Sequence, residues 1–227
     1  MIKTILDEYK YIYYDAVLLN RIEILVSNIE KHFNIPTENI IRWLCEDYIN
    51  CSYTKEKDTY YHTFRHMMAV ANIMCLLLDD NECKEGIITG LYHDYGHSLG
   101  EYTDSYNIAN AIQSVSWCLS DYLFFKDSKD ERNIFCKYDL NRNSIFDAIF
   151  CTVYRFRVEP TNALEKAIRD ADLLMCLCPD AEHFSKGLSL ETKCNRTIDD
   201  MFNFVKTQKF YTEKAKKIFE RKTILNV

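Results

Sequence analysis

The sequence predicts an all-α protein, and three observations lead to this fold class. Only three prolines and five glycines interrupt the 227 residues. Apolar residues recur at the three- and four-residue spacing of amphipathic helices rather than in the alternation of half-buried strands. Polar, aperiodic stretches separate these segments. Because the length suits one compact core, we expect a single helical domain over residues 1–227.

The first predicted helical stretch, long or broken, runs from Ile5 to Phe33 and ends before Asn34. Its apolar stripe consists of Leu18, Leu19, Ile22, Leu25, Val26 and Ile29. Thr37 is a suitable N-cap for a second helix that includes residues 40–48. Residues 51–59 are polar and aperiodic, so we expect them to form a surface loop.

Seven further helices are predicted from the same spacing. They are His62–Asp79, Glu82–Asp94, Asp104–Phe125, Ser144–Phe156, Asn162–Cys176, Ile198–Phe210 and Thr212–Leu225. Residues 126–143 are predicted to form a charged loop within the domain. Residues 1–50 and 197–227 are expected to pack around a core at about 61–176, and no chemistry is assigned to the last two helices.

Composition limits the classes of function. Hydrophobic residues make up 48% of the chain and charged residues 27%, which is typical of soluble globular proteins. No apolar run could span a bilayer and no signal-peptide core follows Met1, so we expect a cytoplasmic protein without a membrane partner. Ten cysteines without a Cys-x-x-Cys pair fit reduced thiols better than a disulfide framework.

Charge narrows the choice of partner further. The net charge is -6 and no basic block is present, which argues against binding to duplex nucleic acid. A small anionic substrate remains compatible with this charge, because a bound cation can reverse the local electric field.

The strongest chemical signal lies in residues 91–100, where His93 and Asp94 are adjacent and His97 follows one helical turn later. A neighbouring imidazole and carboxylate offer one nitrogen and one anionic oxygen to a divalent cation, a mixture that Zn, Fe and Mn accept. Four glycines in or beside this stretch allow backbone or ligand to approach closely. They are Gly86, Gly90, Gly96 and Gly100.

Two other segments supply further donors. His62 and His66 are four residues apart on the apolar face of their helix, so both imidazoles should point inward. Asp172 also lies on an apolar stripe, where an unpaired carboxylate would cost several kcal/mol. Asp170 is turned by about 200° from that stripe and is expected to be exposed or paired with Arg169. The candidate metal ligands are therefore His66, His93, Asp94 and Asp172.

These four residues, in the order H...HD...D, resemble the HD-domain superfamily of metal-dependent phosphohydrolases over roughly Tyr61 to Met175. Residues 61–70, Tyr-His-x-x-x-His-x-x-x-Val, are similar to a motif of uncharacterised HD phosphohydrolases and cyclic-nucleotide phosphodiesterases. Residues 93–97, His-Asp-x-x-His, are similar to the latter and to deoxynucleotide triphosphohydrolases. Residues 169–174, Arg-Asp-Ala-Asp-Leu-Leu, are typical of the wider superfamily.

The resemblance implies a helical bundle that holds one divalent metal ion, or two bridged by Asp94, drawn from Mn, Mg, Fe, Zn, Co or Ni. The ligands would be His66, His93, Asp94 and Asp172. The metal would activate a water molecule for attack on phosphorus. His62 matches the histidine that protonates the leaving oxygen in the phosphodiesterases, and His97 is either a second-metal ligand or a catalytic base.

Substrate phosphate needs cationic or hydroxyl donors, and the arginines near the predicted site are Arg65, Arg155, Arg157 and Arg169. None of the four is sharply indicated, and Arg65 and Arg169 are taken as the candidate substrate-binding arginines. Related HD proteins have an Asp and an Asn-Ile-x-x-Ala after the doublet, which Asp104 and Asn107 match. These two residues are therefore expected to face the substrate, although helix capping would equally explain Asp104.

The function predicted on this basis is hydrolysis of a phosphate ester of a nucleotide, of the phosphodiesterase or nucleotidase type. Alternatives are a deoxynucleoside triphosphate triphosphohydrolase, a degenerate HD domain that binds a nucleotide without turnover, and a helical interaction protein with accidental histidines. A homo-oligomer is compatible with each.

Several branches of the superfamily fit poorly. Gly96 and His97 replace the glutamate that follows the doublet in 5'-deoxynucleotidases. The Gly-Tyr-Pro extension of cyclic-di-nucleotide phosphodiesterases and the partner domain of (p)ppGpp enzymes are absent. The purine-clamping glutamine of the cyclic-nucleotide phosphodiesterases has no identified counterpart.

Overall fold

The computed structural model describes residues 15–52, 60–97, 104–120 and 137–227. Over these ranges the chain is all-α, which confirms the predicted fold class: there are ten α-helices, two short 3-10 helices and no strand. The helices are α1 Ala16–Phe33, α2 Thr37–Ser52, α3 Phe64–Leu77, α4 Cys83–Tyr92, α5 Asp104–Ser120, α6 Arg142–Phe150, α7 Ala163–Leu173, α8 Ala181–Thr192, α9 Ile198–Lys206 and α10 Glu213–Glu220. None of these helices combines the length and apolarity needed to cross a membrane.

The N-terminal helices differ from the prediction mainly at their starts. Asp15 caps α1 by accepting a hydrogen bond from the Leu18 amide at 3.0 Å, and residues 5–14 of the predicted stretch lie outside the described residues. The predicted end of α1 is confirmed, because Asn34 adopts a left-handed conformation directly after Phe33. Thr37 is the first residue of α2 and not its cap, since the Pro36 carbonyl already accepts the first helical amides.

The predicted loop at residues 51–59 is wrong at its beginning. Helix α2 continues through Cys51 to Ser52, while residues 53–59 lie outside the described part of the chain. The predicted charged loop at 126–143 also changes at its end, because α6 already begins at Arg142. Residues 121–136, which include the predicted end of α5, lie outside the description as well.

Helices α3 and α4 form an antiparallel hairpin at the centre of the fold, joined by the 3-10 helix Asp80–Glu82. Twelve of the fourteen residues of α3 are buried, so α3 is enclosed on all sides. A Cβ atom on Gly90 would lie 2.5 Å from the Ala71 Cα atom. Gly90 therefore allows α3 and α4 to approach closely and fixes the relative position of their motif-bearing ends.

The other helices surround this hairpin. Helices α1, α2 and α7 pack against α3, and α5, α6 and α7 pack against α4. Their buried side chains form one hydrophobic cluster, with Ile22, Phe64, Ile87, Ile168 and Phe184 among the residues that solvent does not reach. Burial of apolar surface on both sides of α3 holds the motif segments in place.

The C-terminal half contains the larger corrections. Helix α6 ends at Phe150 rather than Phe156, and turns follow it. Helix α7 ends at Leu173 and a 3-10 helix, Leu174–Leu177, continues it. Helices α9 and α10 are shorter than predicted, and α8 was not predicted at all.

A buried network of ion pairs joins the start of α8 to α1 and α3. The Arg21 guanidinium, which is fully buried, donates two hydrogen bonds to Asp180 at 2.8 and 2.9 Å. Arg65 donates to the same carboxylate at 2.6 Å and also pairs with Asp15. Burial raises the pKa of Asp180, but Arg21 and Arg65 outweigh it and lower that pKa below its usual value. The charges therefore stabilise the junction of the three helices.

Candidate metal centre

Four predicted ligands converge at one end of the α3–α4 hairpin. The His66 Nε2 atom lies 3.1 Å from the His93 Nε2 atom, 3.2 Å from an Asp94 oxygen and 3.3 Å from an Asp172 oxygen. The His93 Nε2 atom lies 3.0 Å from the same Asp94 oxygen. The structure therefore brings together residues that are up to 106 positions apart (172 − 66 = 106).

The geometry of these donors fits a divalent metal ion. With metal–ligand bonds of about 2.1 Å, neighbouring ligands lie about 3.0 to 3.4 Å apart in octahedral or tetrahedral coordination. Two Nε2 atoms that face each other repel if both present lone pairs, and a shared cation removes this repulsion. The group of His66, His93 and Asp172 could hold such an ion.

The surroundings of His93 determine which of its ring nitrogens is available. The Nδ1 atom lies 2.8 Å from the Gly90 carbonyl oxygen, which can only accept a hydrogen bond. Nδ1 must therefore hold the proton, and the Nε2 lone pair faces the cluster. Metal-binding histidines characteristically have such a second hydrogen bond, which fixes the ring orientation.

Electrostatics at the cluster favour positive charge. Burial lowers the pKa of His66, but its hydrogen bonds to Asp172 and Asp94 outweigh burial and raise that pKa to about 9. Burial likewise raises the pKa of Asp94, yet His93, His62 and His66 together hold it well below the usual 3.8. The cluster therefore contains an anionic Asp94 and needs either a proton or a metal ion to balance it.

A second group of donors adjoins the first. Ligand atoms of His62, Asp94 and His97 lie within 4.8 Å of one another, so these residues could also hold a metal ion. Because Asp94 contacts the first cluster and belongs to this second group, the donor set has room for one ion or for two. His97 is buried, and burial followed by the nearby His62 charge lowers its pKa to about 3, so its ring is neutral.

Beside this cluster, His62 is paired with a carboxylate that the sequence did not indicate. The His62 Nδ1 atom lies 2.6 Å from Oε2 of Glu191, whose other oxygen accepts the backbone amides of Tyr60, Tyr61 and His62. Burial lowers the pKa of His62, but Glu191 and Asp94 outweigh burial and raise it above 6.5. For Glu191, burial is outweighed by His62 and the amides, and the pKa falls to about 2.

Glycine at position 187 makes this pairing possible. Gly187 lies one turn before Glu191 on α8, and a Cβ atom there would collide with the carbonyl oxygen of Tyr60. The missing side chain lets the backbone at Tyr60 approach α8, which places the amides of Tyr60–His62 over the Glu191 carboxylate.

The His62 and His97 rings stack with their centroids 3.9 Å apart and their planes inclined by only 2°. The Asn110 amide on α5 lies 3.1 Å from Nε2 of His97. Stacking against the His97 ring fixes the position of the His62 ring beside the cluster.

A cavity of about 480 Å³ opens above the two groups of donors. Its polar lining includes His62, Asp94 and Asp172. The rest of the lining is largely apolar and aromatic, and its residues include Val153, Tyr154, Phe156, Leu188, Met201, Phe204 and Val205. Among the described residues that line the cavity, Arg196 is the one with a cationic side chain other than histidine.

Helix α9 therefore has a role that the sequence did not predict. No chemistry was assigned to the last two helices, yet Asp200, Met201, Phe204 and Val205 of α9 line the cavity. Helix α10 does not line it.

The predicted substrate-binding residues are not all near the cavity. Asn107 lines it and donates a hydrogen bond to the Tyr154 carbonyl oxygen at 3.0 Å. Asp104 is the first residue of α5, and its side chain lies outside the described part of the structure. Arg65 forms ion pairs with Asp15 and Asp180 and does not line the cavity.

Arg169 and its neighbour are buried for structural reasons. Arg169 donates hydrogen bonds to the carbonyl oxygens of Cys151 and Val158 and does not line the cavity. Asp170 was expected to be exposed or paired with Arg169, and this is wrong. Its side chain is fully buried and accepts the backbone amides of Tyr211 and Thr212 at 2.7 to 3.1 Å.

No protein-family model matches this chain, and no curated protein matches it.

Proposed function

We propose that the protein is a metal-dependent phosphohydrolase that cleaves a phosphate ester of a nucleotide. One observation supports this proposal above the others: the His66 Nε2 atom lies within 3.3 Å of a second imidazole nitrogen and of two carboxylate oxygens, beside the His62–Glu191 pair and the cavity. The resemblance of the H...HD...D pattern to HD-domain phosphohydrolases points to the same chemistry.

The donor set defines what a metal would do. His66, His93, Asp94 and Asp172 would hold it, and His97 beside Asp94 is a donor for a second ion. A divalent ion bound there supplies an activated water nucleophile and withdraws charge from the phosphoryl oxygens. The low pKa of Asp94 keeps this residue anionic across the physiological range.

His62 is the general acid in this proposal. Its Nδ1 atom donates to Glu191, so the proton available for transfer is the one on Nε2. The raised pKa favours the protonated form of His62, which can give a proton to the leaving alkoxide. Glu191 does not touch the substrate; it holds the ring in position and maintains its charge.

The apolar side of the cavity accounts for the organic part of the substrate. The rings of Tyr154 and Phe204 have centroids 6.3 Å apart, and both remain partly exposed in the cavity. A planar base or another flat apolar group would bury surface against them. Arg196 at the cavity could pair with a further anionic group of the ester.

The test is a chromatographic product assay with Mn²⁺. Substrates are nucleoside mono- and triphosphates, cyclic mono- and dinucleotides and linear dinucleotide diesters, each incubated with wild type, Asp94→Ala and Asp147→Ala. Asp147 is exposed on α6, away from the cavity, and serves as the matched control. Consumption of one substrate class by wild type and Asp147→Ala, but not by Asp94→Ala, supports the proposal and identifies the bond cleaved.

If none of these substrates is consumed although the purified protein contains stoichiometric metal, the proposed hydrolysis of nucleotides is contradicted. A nucleotide-binding protein without turnover would then be the better explanation. That outcome would be recognised by equilibrium binding of the same nucleotides to wild type.

A further inference from the structure

A separate group of metal-binding side chains lies at the opposite end of the α3–α4 hairpin. Ligand atoms of His32, Asp80 and Cys83 are all within 4.8 Å of one another. His32 is in the last turn of α1, Asp80 is in the 3-10 helix between α3 and α4, and Cys83 is the first residue of α4. The end of α1 therefore meets the turn of the α3–α4 hairpin at this point.

Cys75 is a further thiol next to Cys83, outside the group of three whose ligand atoms lie within 4.8 Å of one another. The interaction of the two thiols raises the pKa of Cys75 and lowers that of Cys83. Cys83 is almost completely buried, whereas Cys75 is partly exposed. Two thiols on different helices thus face each other beside an imidazole and a carboxylate.

This set of donors has a chemical preference. Thiolate and imidazole ligands together favour Zn²⁺, which takes four ligands in tetrahedral structural sites. The His32 ring makes no hydrogen bond with the described residues, so its nitrogens are available. Asp80 pairs with Lys31 at 2.7 Å, but both side chains are more than half exposed, and such a surface pair is readily exchanged for a metal bond.

The site is distinct from the candidate metal centre. His66 and Cys75 are nine residues apart on α3, which is about 14 Å along the helix. The candidate centre contains only nitrogen and oxygen donors, whereas this group contains the Cys83 sulfur atom and has the Cys75 thiol beside it.

We propose that His32, Cys75, Asp80 and Cys83 bind a zinc ion that fastens the end of α1 to the α3–α4 hairpin. The ion crosslinks three segments that the unfolded chain does not hold together, so it stabilises the folded state by mass action. This role is independent of the proposed hydrolysis, because none of the four residues lines the cavity.

The test is titration of the metal-free, fully reduced protein with Co²⁺, which substitutes for Zn²⁺ and reports its ligands spectroscopically. Sulfur ligation produces an intense near-ultraviolet charge-transfer band that nitrogen and oxygen ligands do not produce. We expect wild type to develop this band with one equivalent of Co²⁺ and to lose it when Zn²⁺ is added. Zinc should also raise the thermal midpoint of the metal-free protein.

Four variants make the test specific. Cys83→Ser and His32→Ala should lose the band or require at least about tenfold more Co²⁺, in keeping with the loss of a direct ligand. His32 is only partly buried, so His32→Ala remains informative if Cys83→Ser does not fold. Cys194→Ser, which removes an exposed thiol at the cavity, and Asp172→Ala should both keep the band.

The proposal is overturned if the reduced wild type shows no charge-transfer band. It is also overturned if Cys83→Ser and His32→Ala keep the band at wild-type affinity, because the sulfur ligands would then lie elsewhere.

Discussion

The carboxylate of Glu191 lies 2.6 Å from Nδ1 of His62, although the two residues are 129 positions apart in the sequence. The same carboxylate accepts three backbone amides at residues 60–62, so it fixes both the ring and the segment that leads into α3. This relationship raises the pKa of His62 in a position where burial alone would lower it.

Glu191→Gln should therefore change the pH dependence of activity. The amide preserves the shape of the side chain but removes the negative charge that raises the pKa of His62. In wild type, Glu191 raises the pKa of His62 above 6.5, so the protonated ring persists to higher pH. In the variant this pKa falls, so the decline of activity with rising pH should begin at a lower pH than in wild type. At pH 7.5 we expect a loss of about tenfold or more in kcat, within the range for general acids.

The measurement is a pH profile of kcat for whichever ester the product assay identifies. Glu182→Gln is the matched control, because Glu182 is on the same helix but is exposed and pairs only with Lys186. A profile of Glu191→Gln that superimposes on the Glu182→Gln profile would show that the Glu191 charge does not act on the proton donor.

Asp172 and Asp170 are two residues apart and should respond oppositely to substitution. Asp172 contacts His66 at the cavity and is partly exposed, so Asp172→Ala should reduce bound metal and activity with little loss of stability. Asp170 is fully buried on the amides of Tyr211 and Thr212. Asp170→Ala leaves these amides without a partner and should cost about 2 to 4 kcal/mol of unfolding free energy.

Metal content per folded protein and urea unfolding separate these two effects. Asp170→Ala should retain the wild-type metal content under conditions where it remains folded. Equal metal loss in both variants would mean that Asp170 acts on the metal centre and not only on the α7–α10 contact.

The sequence predicted the candidate ligands His66 and Asp172 from their positions on the apolar faces of helices, and His93 and Asp94 from their adjacency. His66 and Asp172 each follow the helical spacing of the core residues around them, and the structure brings them together. The same reasoning did not predict the burial of Asp170, because its partners, Tyr211 and Thr212, come from a distant segment. Its burial is a tertiary effect that helical periodicity does not contain.

Glu191 was missed for a similar reason, although a weak signal existed. Helix α8 was not predicted because Gly187 and several polar residues interrupt its pattern. Phe184, Leu188 and Glu191 nevertheless follow one another at helical spacing. An acidic residue on such a stripe indicates a buried partner, but only the fold shows that this partner is His62.

Gly187→Ala should disturb His62, the proposed general acid, from a position that does not line the cavity. The new methyl group would collide with the Tyr60 carbonyl and push residues 60–62 away from Glu191. We expect the free energy of unfolding to fall by about 1 to 3 kcal/mol, as at other overpacked sites. We also expect kcat to fall. Lys186→Ala, at the exposed neighbouring position, is the control. Wild-type stability and kcat in Gly187→Ala would contradict the close approach of these segments.

The ion pairs of Asp180 with Arg21 and Arg65 should make stability depend on pH. Because the folded pKa of Asp180 lies below its usual 3.8, its stabilising effect is complete above about pH 5 and declines as pH falls through 3.8 toward the folded pKa. Asp180→Asn removes the charge and leaves two buried arginines with weaker partners, so it should cost about 3 to 5 kcal/mol of unfolding free energy at pH 7.

Urea unfolding at pH 7 and pH 3.5 should therefore show a difference in free energy of unfolding between wild type and Asp180→Asn that narrows at the lower pH. Asp147→Asn, on an exposed face of α6, should differ little from wild type in free energy of unfolding at either pH. A difference between wild type and Asp180→Asn that is the same at both pH values would mean that the Asp180 charge does not contribute to stability.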